Sequence, residues 1–145
     1  MKTARRRTLL LAAALCTASF LMAQSLYDAS GVRTIAKIYN NTIYDASGVR
    51  TIGKIYGERI MDGSGARTIN YVRSDGRVMD CNGSSSVGQI NSNGRITDGG
   101  SRTLGYVENG RVFDSPHVRT VGYYRDVDVK YVAYYFFFFP NRDNH

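Results

Sequence analysis

Tyr27 to Ile38 reads YDASGVRTIAKI and Tyr44 to Ile55 reads YDASGVRTIGKI, twelve residues repeated with a single change. Weaker copies follow: Met61 begins MDGSGARTINYV, Met79 MDCNGSSSVGQI, Thr97 TDGGSRTLGYV and Phe113 FDSPHVRTVGYY. The recurrent aspartates, Asp28, Asp45, Asp62, Asp80, Asp98 and Asp114, are spaced by 17, 17, 18, 18 and 16 residues. A period this short encodes one supersecondary unit that cannot bury its own apolar face, so stability must come from packing the copies together.

The aliphatic positions identify the unit as a β-hairpin. Folding the chain back at Asn40-Asn41 sets Ile38 opposite Ile43, Gly57-Glu58 sets Ile55 opposite Ile60, and Asn109-Gly110 sets Val107 opposite Val112. Where the spacing lengthens to 18, the extra residue falls in the turn, as Ser74-Asp75-Gly76 and Ser92-Asn93-Gly94. The pairs Val72 with Val78 and Ile90 with Ile96 are then kept, and Gly ends each three-residue loop as left-handed geometry requires. A second turn links successive hairpins: in Asp45-Ala46-Ser47-Gly48, Asp opens and Gly closes a type I turn. Ile52 and Ile55 are three apart, the wrong parity for one face, which predicts a β-bulge at Gly53 and at its equivalents Ala36, Asn70, Gly88, Gly105 and Gly122.

The chain has 145 residues, 43% hydrophobic and 21% charged, with 15 Gly, 11 Tyr and no Trp, a globular composition that favours strands and tight turns. Residues 1–23 read as a secretory signal peptide. Lys2, Arg5, Arg6 and Arg7 form the charged start, Thr8 to Met22 the apolar run, and cleavage is expected between Ala23 and Gln24, with Ala18 as the alternative. The run is too short for a comfortable membrane span. Cys16 invites a lipoprotein reading, but Leu15 stands before it where Gly or Ala is usual. Removing four cations from the formal charge of +7 leaves +3 on 122 residues, which withdraws most of the motive for nucleic-acid binding. Cys81 is then the only thiol, so the core has no disulfide staple.

The five hairpins, the D-x-x-G-x-R-T-I-G-x-I pattern, the export signal and the closing aromatic run Tyr134-Tyr135-Phe136-Phe137-Phe138-Phe139 together resemble the five-fold β-flower family of exported bacterial proteins. The resemblance implies petals in a ring around an axis, and it implies no biochemical activity or functional residues.

Candidate sites are few. The six Asp side chains could line a ring and bind calcium, but each is placed to cap its own turn, the more economical reading. Arg33, Arg50, Arg67, Arg102 and Arg119 recur before Thr, with Ser85 breaking the series; they could grip an anionic glycan or phosphate, or lie solvated on an outer face. Cys81 and His117 are the only nucleophile and base left after export, His145 lying on the tail, and neither sits in a catalytic motif, so no catalytic residue is assigned. No metal or cofactor is expected. The apolar run Tyr131 to Phe139 predicts a last strand, paired through Arg125 to Asp128 with Thr120 to Tyr124, that either closes the core or docks a partner or membrane.

The sequence thus predicts an all-β chain with a signal peptide at 1–23, a repeat domain at 24–139 of five roughly 17-residue hairpin petals closed by an aromatic C-terminal strand, and a tail at 140–145. The expected role is a noncatalytic structural or binding module of the Gram-negative envelope, periplasmic or at the cell surface. Its expected partner is an envelope polymer or protein, with no nucleic acid and no transmembrane helix in the mature chain. The alternatives are a glycan-active hydrolase, which lacks paired carboxylates outside the turn series, and a cell-wall polymer-binding repeat protein.

Overall fold

Each repeat becomes two short strands, and the computed structural model describes residues 24–140. The expected signal segment with Cys16, Ala18 and Ala23, and tail residues 141–145, lie outside the described residues. The strands are β1 Ser25–Tyr27, β2 Thr34–Tyr39, β3 Thr42–Asp45, β4 Thr51–Tyr56, β5 Arg59–Asp62 and β6 Thr68–Val72. They continue as β7 Arg77–Met79, β8 Ser86–Ile90, β9 Arg95–Asp98, β10 Thr103–Glu108, β11 Arg111–Asp114 and β12 Thr120–Arg125. All neighbours pair antiparallel, and β1 also pairs with β12, so the meander closes into a twelve-stranded barrel.

All five predicted cross-strand pairs occur: Ile38 with Ile43, Ile55 with Ile60, Val72 with Val78, Ile90 with Ile96 and Val107 with Val112. Each of these side chains is buried. The five hairpins are joined in the ring by a sixth two-stranded unit, built from the first and last strands, in which Leu26 lies opposite Tyr124. Loop chemistry matches backbone: Asn40 and Asn41 are both left-handed, as the two-residue loop demands, and Gly76 and Gly94 have φ of 88° and 91°.

The bulge recurs in all six repeats, but its extra residue is not the glycine. Tyr44 pairs with Thr51 and Ile43 with Gly53, leaving Ile52 unopposed. Ile35, Ile69, Val87, Leu104 and Val121 are unopposed in the same way. The glycines are small for another reason, which lies inside the barrel.

The final element is the main correction. Val129–Phe137 forms an α-helix, α1, not a strand, and Arg125 to Asp128 lead into it instead of turning a last hairpin. A closed ring has no free edge for a thirteenth strand, so a segment entering its lumen can satisfy its N–H and C=O groups only within itself, which means as a helix. Beyond its first turn, where Val129 and Lys130 reach the rim, such a helix is apolar because the barrel surrounds it. The Asp128 carboxylate caps α1 by accepting from the Lys130 N–H at 2.9 Å.

The helix and the residues after it fill the lumen. Tyr134 and Phe139 are fully buried and Tyr135 almost so. A Cβ at Gly88, Gly105 or Gly122 would collide with the ring of Phe138, Phe137 or Phe136 respectively, and one at Gly53 would come within 3.3 Å of Phe139. At the equivalent Asn70, the amide oxygen accepts from the Tyr134 hydroxyl at 2.9 Å while its NH2 donates to the Met79 carbonyl at 2.8 Å. Ala36, the sixth equivalent, has no exposed surface. The position read from sequence as a bulge is therefore the small inward site that admits an aromatic plug. Tyr134, Tyr135 and Phe139 are core and Phe136, Phe137 and Phe138 pack against it partly buried, so the run forms a plug and not an exposed strand.

Candidate functional site

The barrel has two rims. At one, the six Asp turns close on themselves. The Gly31, Gly48, Gly65 and Gly83 N–H groups each donate to the carbonyl of the Asp three residues earlier at 3.0 Å. The carboxylates then collect further local donors: Asp45 Oδ1 accepts from the Ser47 N–H at 3.1 Å, and Asp98 Oδ1 from Gly100 and Arg102 N–H at 2.9 Å. The Ser30, Ser47 and Ser64 hydroxyls, helped by main-chain N–H groups, hold Asp28, Asp45 and Asp62 below the ordinary carboxylate range. The Ser84 N–H does the same chiefly for Asp80. These side chains act as caps, each within its own turn, and the described residues contain no cluster of three or more metal-ligating groups.

The arginine series serves the same rim through its backbone. The carbonyls of Arg33, Arg50, Arg67, Arg102 and Arg119 accept from the N–H of the Asp that opens each turn, and Ser85 does so in the fourth copy. A backbone role is indifferent to the side chain, which is why the series tolerates Ser85. The five guanidinium groups are exposed, and only Arg119 meets a carboxylate, that of Asp114 at 3.5 Å.

Between the rims runs the outer wall, which the sequence reading missed. Pleating sends residues flanking the inward aliphatics to the outside. The outward cations are Lys37, Lys54, Arg59, Arg77, Arg95, Arg111 and Arg125, against one outward carboxylate, Glu108. Tyr27, Tyr39, Tyr44, Tyr56, Tyr71, Tyr106, Phe113 and Tyr123 interleave with them. Arg59 lies over Tyr71 at 5.9 Å, Arg111 over Tyr123 at 5.4 Å, and the Tyr39 and Tyr44 rings stack at 4.6 Å. Among the described residues, acidic and basic side chains meet only at His117 with Glu108 and Arg119 with Asp114. No other carboxylate pairs with a wall cation: besides the Asp turns, Asp75 accepts from the Arg77 N–H, Glu58 from the Ser74 N–H and Asp128 from the Lys130 N–H, and Asp126, beyond β12, forms no ion pair among the described residues. The two-residue parity of K-x-Y and R-[IV] around each buried aliphatic was the available signal.

The second rim carries the hairpin loops and the start of α1. There a cleft of about 480 Å³ opens between the loops at 74–76, 92–94 and 108–109, with Tyr124, Val129 and Lys130 on its inner side.

Cys81 and His117 are not brought together. Cys81 is exposed on the β7–β8 turn and His117 lies on the β11–β12 turn, four strands and so roughly 20 Å away along the wall. His117 occupies the left-handed position that Gly fills in four other turns, with φ of 60°. Its ring stacks on Tyr106 at 4.1 Å, meets Phe113 edge-on at 4.7 Å, and hydrogen-bonds Glu108 at 2.6 Å, contacts that offset the backbone strain.

No curated protein and no solved structure matches the chain. The family model described as 5-fold beta-flower protein matches residues 23–140, spanning every strand of the barrel and the aromatic plug. With its hairpin ring, its Asp turns and most of its length inside that match, the chain belongs to the 5-fold beta-flower family.

Proposed function

We propose that the chain is an exported, noncatalytic binding module of the bacterial cell envelope, and that its outer wall takes an anionic glycan. Export rests on the charged start and apolar run of residues 1–23. The observation that carries the binding reading is the outer wall's unpaired charge: seven outward cations face one carboxylate, itself engaged by His117. Arg59, Arg77, Arg95 and Arg111 open the return strands of four successive hairpins, which places them on every second strand, roughly 10 Å apart across the sheet. A repeated polyanion meets such a row in register, its carboxylates or phosphates accepting from guanidinium forks. Between the cations the aromatic rings are half-buried and flush with the wall, Tyr56 alone being more than half exposed. Such rings offer a flat apolar surface to the C–H face of a sugar, and the net charge of only +3 left after removal of residues 1–23 gives little support to a nucleic-acid partner.

The test is calorimetry of the mature chain with polygalacturonate, neutral dextran and duplex DNA. The expected result is salt-sensitive binding of polygalacturonate, none of dextran, and no new reducing ends on prolonged incubation. Combining Arg59→Glu, Arg77→Glu and Arg95→Glu, all at exposed positions, should weaken binding at least tenfold. Equal affinity of this variant, a preference for DNA, or release of reducing ends overturns the reading.

A further inference from the structure

The repeat is not uniform, and its departure from uniformity falls on the cleft. The two hairpins with three-residue loops are adjacent in the ring, and their loops, Ser74-Asp75-Gly76 and Ser92-Asn93-Gly94, form neighbouring walls of the cleft. The shorter loops at Asn40-Asn41 and Gly57-Glu58 take no part in it. We propose that this cleft is a binding site for a neutral pyranose, separate from the anion-binding wall.

The site is preformed. The Ile90 N–H donates to the Gly76 carbonyl and the Val107 N–H to the Gly94 carbonyl, both at 2.8 Å. Glu58 holds the Ser74 N–H at 2.8 Å, and the Gln89 amide donates to the Asp75 carbonyl at 2.8 Å. Gly76 and Gly94 lie so close to the Ile90 and Val107 carbonyls that no side chain fits, which fixes each loop against the next hairpin. Fixed loops spend little ordering entropy when a ligand enters.

The chemistry of the lining is that of a sugar site. Tyr124 and the exposed part of Val129 give an apolar patch for the C–H face of the ring. Around it stand short polar groups for the hydroxyl edge: Ser92, Asn93, Asp75 and, as a donor, Lys130. With the Glu108 carboxylate held by His117 on the wall, Asp75 balances Lys130, so the cleft offers an anion no excess of cations, unlike the wall, and about 480 Å³ admits a mono- or disaccharide.

The experiment is a two-dimensional amide NMR titration of the mature chain with D-glucose, D-galactose, D-mannose and N-acetyl-D-glucosamine, with inorganic phosphate as the anionic control. At least one neutral sugar should give saturable shifts at Ser92, Asn93, Glu108 and Lys130, and phosphate none there. Replacing Ser92-Asn93-Gly94 by the two-residue Asn-Gly of the neighbouring hairpin lowers one wall within a loop length the ring already uses, and should weaken binding at least tenfold. Asn93→Ala, a milder change, should weaken it measurably. The combined Arg59→Glu and Arg77→Glu variant should leave these shifts unchanged, so failure of the wall reading and failure of the cleft are told apart. Silence with all four sugars, phosphate shifts in the cleft, or undiminished binding by the shortened loop overturns the proposal.

Discussion

The ring and the helix inside it are held by different kinds of rule. Apart from the β1–β12 closure, every strand of the ring settles its hydrogen bonds with the strands next to it in sequence, and each turn between hairpins is capped by its own Asp. The helix has one local device, the Asp128 cap, and otherwise owes its conformation to being surrounded. Damage to one turn should thus stay local, while damage to the plug should reach the inner positions of several repeats at once, because consecutive aromatics serve different strands.

The largest expected effect comes from emptying part of the lumen. Phe139→Ala removes a fully buried ring that stacks on Tyr135 at 5.6 Å and borders Gly53. It should cost about 3–5 kcal/mol in urea unfolding. Val49→Ala, on a turn where the side chain is 82% exposed, should stay within about 0.5 kcal/mol. Similar costs for the two would mean that the aromatic segment covers the barrel without supporting it. A step down in size, Gly105→Ala pushes a methyl against the Phe137 ring and the Phe113 carbonyl, and should cost about 1–3 kcal/mol. Combining it with Phe137→Leu should recover part of that loss, a positive coupling in a double-mutant cycle. Strict additivity would show that only the strand backbone resists the methyl.

The hairpins were legible because their determinants are short-range. Asn-Gly loops, Asp-to-Gly turns and cross-strand aliphatics announce themselves within a dozen residues, and the unequal loops at 74–76 and 92–94 confirmed the register. Tyr131 to Phe139 was misread because nine consecutive apolar residues carry no period, and their aromatics favour strand in isolation. Asp128 ahead of the run was the one helix signal present. Deciding between the two needed knowledge that β1 seals the ring against β12, a contact spanning the whole described chain. The outer wall was hidden differently: its cations and tyrosines are at readable parity, but their lack of carboxylate partners emerges only once the caps are seen to occupy the acids.

Acid and alkali should separate the two regions by a smaller effect. Asp28, Asp45, Asp62 and Asp80 are held below their ordinary 3.8 by hydrogen bonds that exist only in the folded turns. Their contribution is therefore complete above that value and is lost as pH falls through the lowered folded values. Burial pushes the Tyr134 and Tyr135 phenols far above their ordinary 10.0, so the plug's contribution is complete below 10.0 and is lost as pH rises beyond it. Urea midpoints should accordingly be level between these limits and fall at both ends. Asp45→Asn should make the acid limb shallower without touching the alkaline one, whereas Tyr134→Phe should make only the alkaline limb shallower, and Tyr135→Phe should add to it. Because each Asp turn is exposed and only one of six, the acid change is the slighter of the two. A protein carrying both Tyr134→Phe and Tyr135→Phe that kept its full alkaline limb would place the sensitivity outside the lumen, and the helix would lose its standing as the element the whole ring is built around.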